Sequence, residues 1–342
     1  MIHESTPVTR VAFLLAYARF IEHLGAPLGH LLAASGIPEE LLDHPAGAVC
    51  LNSAFKFGEM ACEATGTEHL GLYIGTQTSL KDLGPAGKQL DRSTTVYDYL
   101  RRGIALYDML ITGQRVWLSD HGVEVRLNVA TIGEPGIGPY QSQLETLSAT
   151  TMIIRRALGR NWSPRKIGLT YQSRENFPED SCFAESRIIK GVQTSYMVIP
   201  REALGAPFSR DVLPSEEIPE SIDALRLSGD LSDLVRFQIK ALLCEQKLHI
   251  DTIAESLMMS RRSLQRCLAE QGTCYSELLA DIRIRQAIDR LQRSDEPIND
   301  IAFSLGYSDA SNFTRAFRLR NGISPQKFRQ DSIRGQFSMS LD

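Results

Sequence analysis

Apolar residues recur at helical spacing through much of the first third of the chain. Residues 8–24, 28–34, 53–64 and 96–111 each carry an i, i+3, i+4 stripe and predict amphipathic helices. The period then changes to two. "QRVWLS" (114–119) and "GVEVRLNV" (122–129) alternate apolar and polar positions as half-buried strands do, with Asp120-His121-Gly122 reading as the turn between them. A long helical pattern returns over 141–158, and "KIGLTY" (166–171) and "TSYMVI" (194–199) add two β-rich segments. This mixture predicts an α+β domain over residues 1–200, a small sheet backed by helices. The pattern does not encode the strand order.

"PREALGAPFSRDVLPSEEIPES" holds four prolines and no sustained period, so residues 201–228 read as a linker. Beyond it the pattern is helical throughout: an all-α domain over 229–331, then a short tail, 332–342. This second domain contains an internal repeat. "DTIAESLMMSRRSLQRCL" (251–268) and "NDIAFSLGYSDASNFTRAF" (299–317) both run Ile-Ala-x-x-Leu, a tight turn, then a second amphipathic helix. The offset grows by one residue between the halves, which places an extra residue in the second turn.

Composition narrows the functional classes. The chain is 43% hydrophobic and 23% charged, ordinary for a globular protein, and no apolar run approaches the roughly 18 residues that span a bilayer. The six cysteines form no C-x-x-C pair and the seven histidines no H-x-x-x-H spacing, so the sequence offers neither a zinc site nor a disulfide framework. No cofactor motif appears either. Charge is uneven: residues 1–227 carry 21 basic and 26 acidic side chains, residues 228–335 carry 16 and 14. A surplus this small does not by itself announce a nucleic-acid partner, so the placement of the basic groups has to decide.

In the first repeat copy Ile253, Ala254 and Leu257 face Leu264, Cys267 and Leu268; in the second Ile301, Ala302 and Leu305 face Phe313, Ala316 and Phe317. Gly306 falls where the turn calls for a positive φ. With those stripes inward, the second helix of each copy turns Arg262, Gln265 and Arg266, or Ala310, Ser311, Thr314, Arg315 and Arg318, outward. Arg bridges guanine O6 and N7, Gln pairs with adenine, and small residues admit close approach to a base edge, so the paired faces suit a major groove.

These residues carry a resemblance. "IAESLMMSRRSLQRCL", "YSELLADIRIRQAIDRL" and "PINDIAFSLGYSDASNFTRAFRLRNGISPQKFR" resemble the paired helix-turn-helix domain of AraC/XylS-type bacterial transcription regulators, with units at about 250–271 and 298–320. The resemblance implies a sequence-specific activator or repressor in the cytoplasm of a bacterium, at the nucleoid. Arg262, Gln265 and Arg266 would then read one groove segment, and Ala310, Ser311, Asn312 and Arg315 the next. Arg261 and Arg318 would hold phosphates. The helix over 275–293 would set the two units about one turn of DNA apart, roughly 34 Å. One departure is that Gly272 follows the first recognition helix one residue sooner than in many members, which shifts the placement of Ala269 and Gln271.

The first domain resembles, less sharply, the effector-binding domain of a subgroup of these regulators. The resemblance implies promoter DNA, a second copy of the chain, a small-molecule effector and RNA polymerase as partners. Apolar helix faces at 8–24 and 141–158 are candidates for self-association, and Trp117, Tyr171, Phe183 and Tyr196 for an effector pocket. Two other readings remain at this level: a cysteine-dependent DNA-repair enzyme fused to a DNA-binding module, and a regulator without effector, controlled by its abundance. The first wants a cysteine cluster or a Pro-Cys-His nucleophile, and Cys50, Cys62 and Cys182 have no such neighbours.

Overall fold

The computed structural model describes residues 7–132, 136–208, 230–243, 248–257 and 259–333. The chain divides into two compact units, Met1–Gly229 and Asp230–Asp342. The expected linker starts later than its composition predicts. Arg201–Gly205 forms a 3-10 turn, and Val96 N and Phe208 N donate to Ala206 O and Thr94 O, both at 3.1 Å, so residues 201–208 belong to the first unit. The remainder of the linker lies outside the described residues, as do Cys244 and the tail from 334 onward.

The first unit opens on a strand where a helix was expected. β1 (Val8–Arg10) pairs antiparallel with β2 (Ala48–Cys50), and each runs directly into a helix, α1 (Val11–His23) and α3 (Leu51–Thr65). Val8 and Thr9 are β-branched and favour the extended backbone that this pairing then satisfies. α2 (Leu28–Ala34), α4 (Leu70–Gln77), α5 (Gly84–Asp91) and α6 (Val96–Leu110) complete the helical part. α4 and α5 have no counterpart in the sequence reading. α4 carries Gly71 and Gly75, which weaken a helix in isolation. Its stability comes from contact: a Cβ at Gly71 would stand 2.0 Å from Gln141 O, and one at Gly75 2.0 Å from Ser148 Oγ. The two glycines therefore let α4 lie at backbone distance on α7 (Ile137–Leu158).

The sheet order is β3-β4-β7-β5-β6, built from β3 (Gln114–His121), β4 (Glu124–Thr131), β5 (Lys166–Leu169), β6 (Arg187–Lys190) and β7 (Ser195–Pro200). All neighbours are antiparallel except β5 and β6, which are parallel. β6 was also unforeseen. It is a four-residue edge bounded by Arg187 and Lys190, the charged, short form that edge strands take. One face of the sheet buries Val116, Leu127, Val129, Ile167 and Met197 against Tyr140, Leu144, Leu147 and Ile154 of α7. Gln143 fastens the layers: its Oε1 accepts from Thr170 Oγ1 at 2.9 Å and Ser195 Oγ at 2.6 Å, and its Nε2 donates to Thr131 at 3.1 Å. The apolar faces of α1 and α7 thus close their own domain's core, which removes both as the self-association surfaces the sequence offered.

The second unit is helical: α8 (Leu231–Leu242), α9 (Ile250–Ser256), α10 (Arg261–Glu270), α11 (Tyr275–Arg293), α12 (Ile298–Ser304), α13 (Ala310–Asn321) and α14 (Pro325–Ile333). α11 packs against α8, α12, α13 and α14. Among the described residues no helix is long and apolar enough to cross a membrane.

Candidate functional site

Each repeat copy folds as helix, turn, helix. Ile253, Ala254, Leu257, Leu264 and Leu268 are buried in the first, and Ile301, Ala302, Leu305, Phe313 and Phe317 in the second. Cys267 and Ala316, expected in those stripes, are half-buried. The rings of Phe313, Phe317 and Phe328 step along the second copy at 5.8 and 5.5 Å, joining α13 to α14. Burial of each such ring is worth about 1.5–3 kcal/mol, which fixes the register of α13 and so the direction of its outer face.

Capping sets where each second helix begins. Ser260 Oγ accepts from Ser263 N at 3.1 Å, and Asp309 Oδ1 accepts from Asn312 N at 2.7 Å. The second turn bends through Gly306, whose φ is 75°, and Arg283 Nη2 donates to Gly306 O at 3.0 Å from α11. The guanidinium of Arg283 also lies 5.0 Å over the Tyr307 ring. Asp309→Ala should lower the unfolding free energy of the second unit by about 1 kcal/mol, the usual cost of an N-cap, read as an earlier urea midpoint.

With the helices fixed, Arg261, Arg262, Gln265 and Arg266 on α10 are exposed, as are Ser311, Asn312, Arg315 and Arg318 on α13; Ala310 is half-exposed. Arg266 meets Glu270 only loosely, at 3.9 Å, and Arg261 meets Asp251 at 3.5 Å. Asn312 is more occupied than its sequence position implies, since its Nδ2 donates to Asp309 Oδ2 at 2.6 Å and Ser308 Oγ at 3.3 Å. Gln271 is turned to structure, its Oε1 accepting from Ser232 N at 3.1 Å. Arg320 pairs with Asp281 on α11. The outer faces of α10 and α13 therefore keep Arg262, Gln265, Arg266, Arg315 and Arg318 as the long polar side chains facing out.

The first unit holds a cavity of about 140 Å³ among α1, α3, α6 and α7. None of the four aromatic residues expected at an effector pocket lines it. Phe183 is fully buried in the core under the sheet, and Tyr171 lies tilted against Tyr140 with ring centroids 5.0 Å apart. Trp117 and Tyr196 flank Asn128 on the other sheet face, under Arg115 and Arg126 at 5.7 and 4.6 Å. The cavity's aromatic wall is instead Phe13, Tyr17, Phe55, Tyr99 and Tyr107, and Glu145 of α7 projects into it.

One group of ligand-type side chains also gathers: atoms of Glu68, His69 and Glu175 lie within 4.8 Å of one another. Their bonding is that of a loop clamp. Glu68 Oε2 accepts from Ser173 Oγ, Arg174 N and Glu175 N, each at 2.9 Å, and His69 Nδ1 meets Tyr140 Oη at 3.0 Å. Lys190 Nζ donates to Ser173 O and Glu175 O at 2.8 and 2.9 Å, so a cation already serves this turn.

Comparison with known proteins agrees with both halves. A family model described as the arabinose-binding domain of AraC transcription regulator, N-terminal, matches residues 25–208, and one described as a helix-turn-helix domain matches 253–331. The ornithine utilization regulator of Pseudomonas aeruginosa is 23% identical over 333 residues, covering 94% of this chain and 96% of that protein. The HTH-type transcriptional regulator VqsM of the same organism is 37% identical over 284 residues, covering 76% and 83%. Among solved structures, the transcriptional regulator CdpR from Pseudomonas aeruginosa is similar at a TM-score of 0.38 and 22% identity, over 89% of this chain and 96% of that one.

Proposed function

Because the chain belongs to the AraC-type family of transcription regulators, we propose that α10 and α13 enter successive major-groove segments of promoter DNA. The observation that carries this is the repeated, exposed Arg-rich face, held twice over by the same buried stripe. α11, 19 residues long, spans about 28 Å at 1.5 Å per residue. That length suits two helices set about one turn of DNA apart.

On this reading Arg262, Gln265 and Arg266 meet bases of one segment, and Ala310, Ser311 and Arg315 those of the next. Arg261 and Arg318 hold phosphates, which position the domain without reading sequence. Asn312 reaches a base only by leaving Asp309. The relatives of the chain are transcription regulators, and we assign it no catalytic step. The first unit serves control, through an effector, a second copy of the chain, or both, and RNA polymerase is the partner that the bound complex would address. The place of work is the bacterial cytoplasm, on the nucleoid.

A salt titration tests the interface. The logarithm of site affinity should fall linearly with the logarithm of salt concentration, by about 0.9 for each phosphate neutralised, and Arg318→Ala should reduce that slope by about one phosphate. A flat dependence would remove DNA binding from the account.

A further inference from the structure

α7 has two working flanks. One meets the sheet; the other carries Gln141, Ser142, Glu145, Thr146 and Thr150 toward the cavity. Most of these polar groups are already satisfied. Gln141 accepts from Gly71 N and donates to Glu68 O, both at 2.8 Å. Ser142 donates to Gln114 at 2.9 Å, Thr146 to Ser142 O at 2.9 Å, and Thr150 to Thr146 O at 2.8 Å. Glu145 is different. It is 8% exposed, its partner is the Tyr17 hydroxyl, and no Lys, Arg or His stands among the described residues lining the cavity. Burial pushes its carboxyl up to about 8, with no cation pulling it back.

A carboxyl kept in an apolar cavity is costly, and a hydrocarbon of the same size would be at least as stable there. Phe13, Phe55, Tyr99 and Tyr107 line the same cavity, and aromatic rings attract cations to their faces. The volume is close to that of an engineered cavity of about 150 Å³ that admits benzene. A sugar would bring more hydroxyls than the wall has spare partners for. A free amino acid would bring a carboxylate that meets no basic side chain.

We propose that this cavity is the effector site, and that its ligand is a small primary amine with an apolar, ring-sized body, its ammonium paired with Glu145. The inference rests on the reading of the first unit as a control domain. Binding at neutral pH converts the carboxylic acid to carboxylate: the ammonium keeps its three protons, and one proton passes from Glu145 to solvent. Affinity therefore rises about tenfold per pH unit up to about 8 and levels off above it, until the amine itself deprotonates. The other titratable groups facing this cavity are Tyr17 from α1, Tyr99 and Tyr107 from α6 and, beside Tyr17, Cys62 from α3. Burial raises all four, so they stay neutral through that range.

Calorimetry on the full chain with phenethylamine, 2-phenylethanol and 3-phenylpropionate tests the proposal, using wild type, Glu145→Gln and the cavity-filling Gly103→Leu. Phenethylamine should bind the wild type best, release close to one proton at pH 7 in buffers of different ionisation enthalpy, and lose at least tenfold in Glu145→Gln. Gly103→Leu should abolish binding of every probe. Should Glu145→Gln fail to fold, proton release and the pH profile of the wild type decide. Binding of the alcohol or the acid as tight as that of the amine, still lost in Gly103→Leu, would overturn the amine and keep the site. If no probe binds, while a low-molecular-weight cell extract shifts site-DNA affinity equally in wild type and Gly103→Leu, control by an effector stands and this cavity is refuted.

Discussion

Residues 230–342 alone should be monomeric and should bind site DNA about 10²- to 10⁴-fold more weakly than the full chain. Residues 228–335 carry 16 basic against 14 acidic side chains, and several of the basic ones are spent inside the unit: Arg283 on Gly306, Arg290 on Glu296, Arg320 on Asp281. The rest are nearly balanced by acidic side chains, which limits what one copy of the domain gains from counterion release. A second copy, joined through the first unit, makes the next contact intramolecular without adding any new one. Light scattering and DNA titrations on both proteins measure this. A full-length monomer with the affinity of the fragment would end the proposal that residues 1–208 self-associate.

The legible parts of this fold are the local ones. The helix-turn-helix units could be read because Ile253, Ala254 and Leu257 lie within one helix and meet Leu264 and Leu268 across a short turn, and because the scheme occurs twice. Gly306, read as a turn glycine, adopts φ 75°. The first unit resisted wherever stability is lent from a distance. α4 is Leu-Gly-Leu-Tyr-Ile-Gly, a poor helix by propensity, formed because Gly71 and Gly75 allow α7 to touch its backbone. β1 is three residues long and exists by pairing with β2 across the whole of α1 and α2. The aromatic residues chosen for an effector pocket were chosen by type, and type does not say which face of a sheet a ring occupies; Trp117 and Tyr196 stand on the face away from α7. The cavity left one trace in the sequence, an acid at Glu145 between Leu144 and Leu147 of the apolar stripe of α7. Its meaning depends on Tyr17, which only the fold brings near.

The central claim is that α10 and α13 read bases, and the arginines on their outer faces test it most directly. Among the described residues neither Arg266 nor Arg315 is held by a close ion pair, and both stand on the side opposite a buried stripe, where a base edge would lie. A bidentate contact to guanine is worth about 1–3 kcal/mol of discrimination, or roughly 5- to 150-fold. The measurement is a mobility-shift titration of wild type, Arg266→Ala and Arg315→Ala against the site, a scrambled duplex, and sites with single base-pair changes. Each variant should lose about 1–3 kcal/mol on the site and much less on the scrambled duplex. Each should also become indifferent to base changes in one segment only, the two segments lying about one helical turn apart. Equal losses on site and scrambled DNA, with sensitivity to every base change intact, would mean that these arginines hold phosphate and that other residues read the sequence.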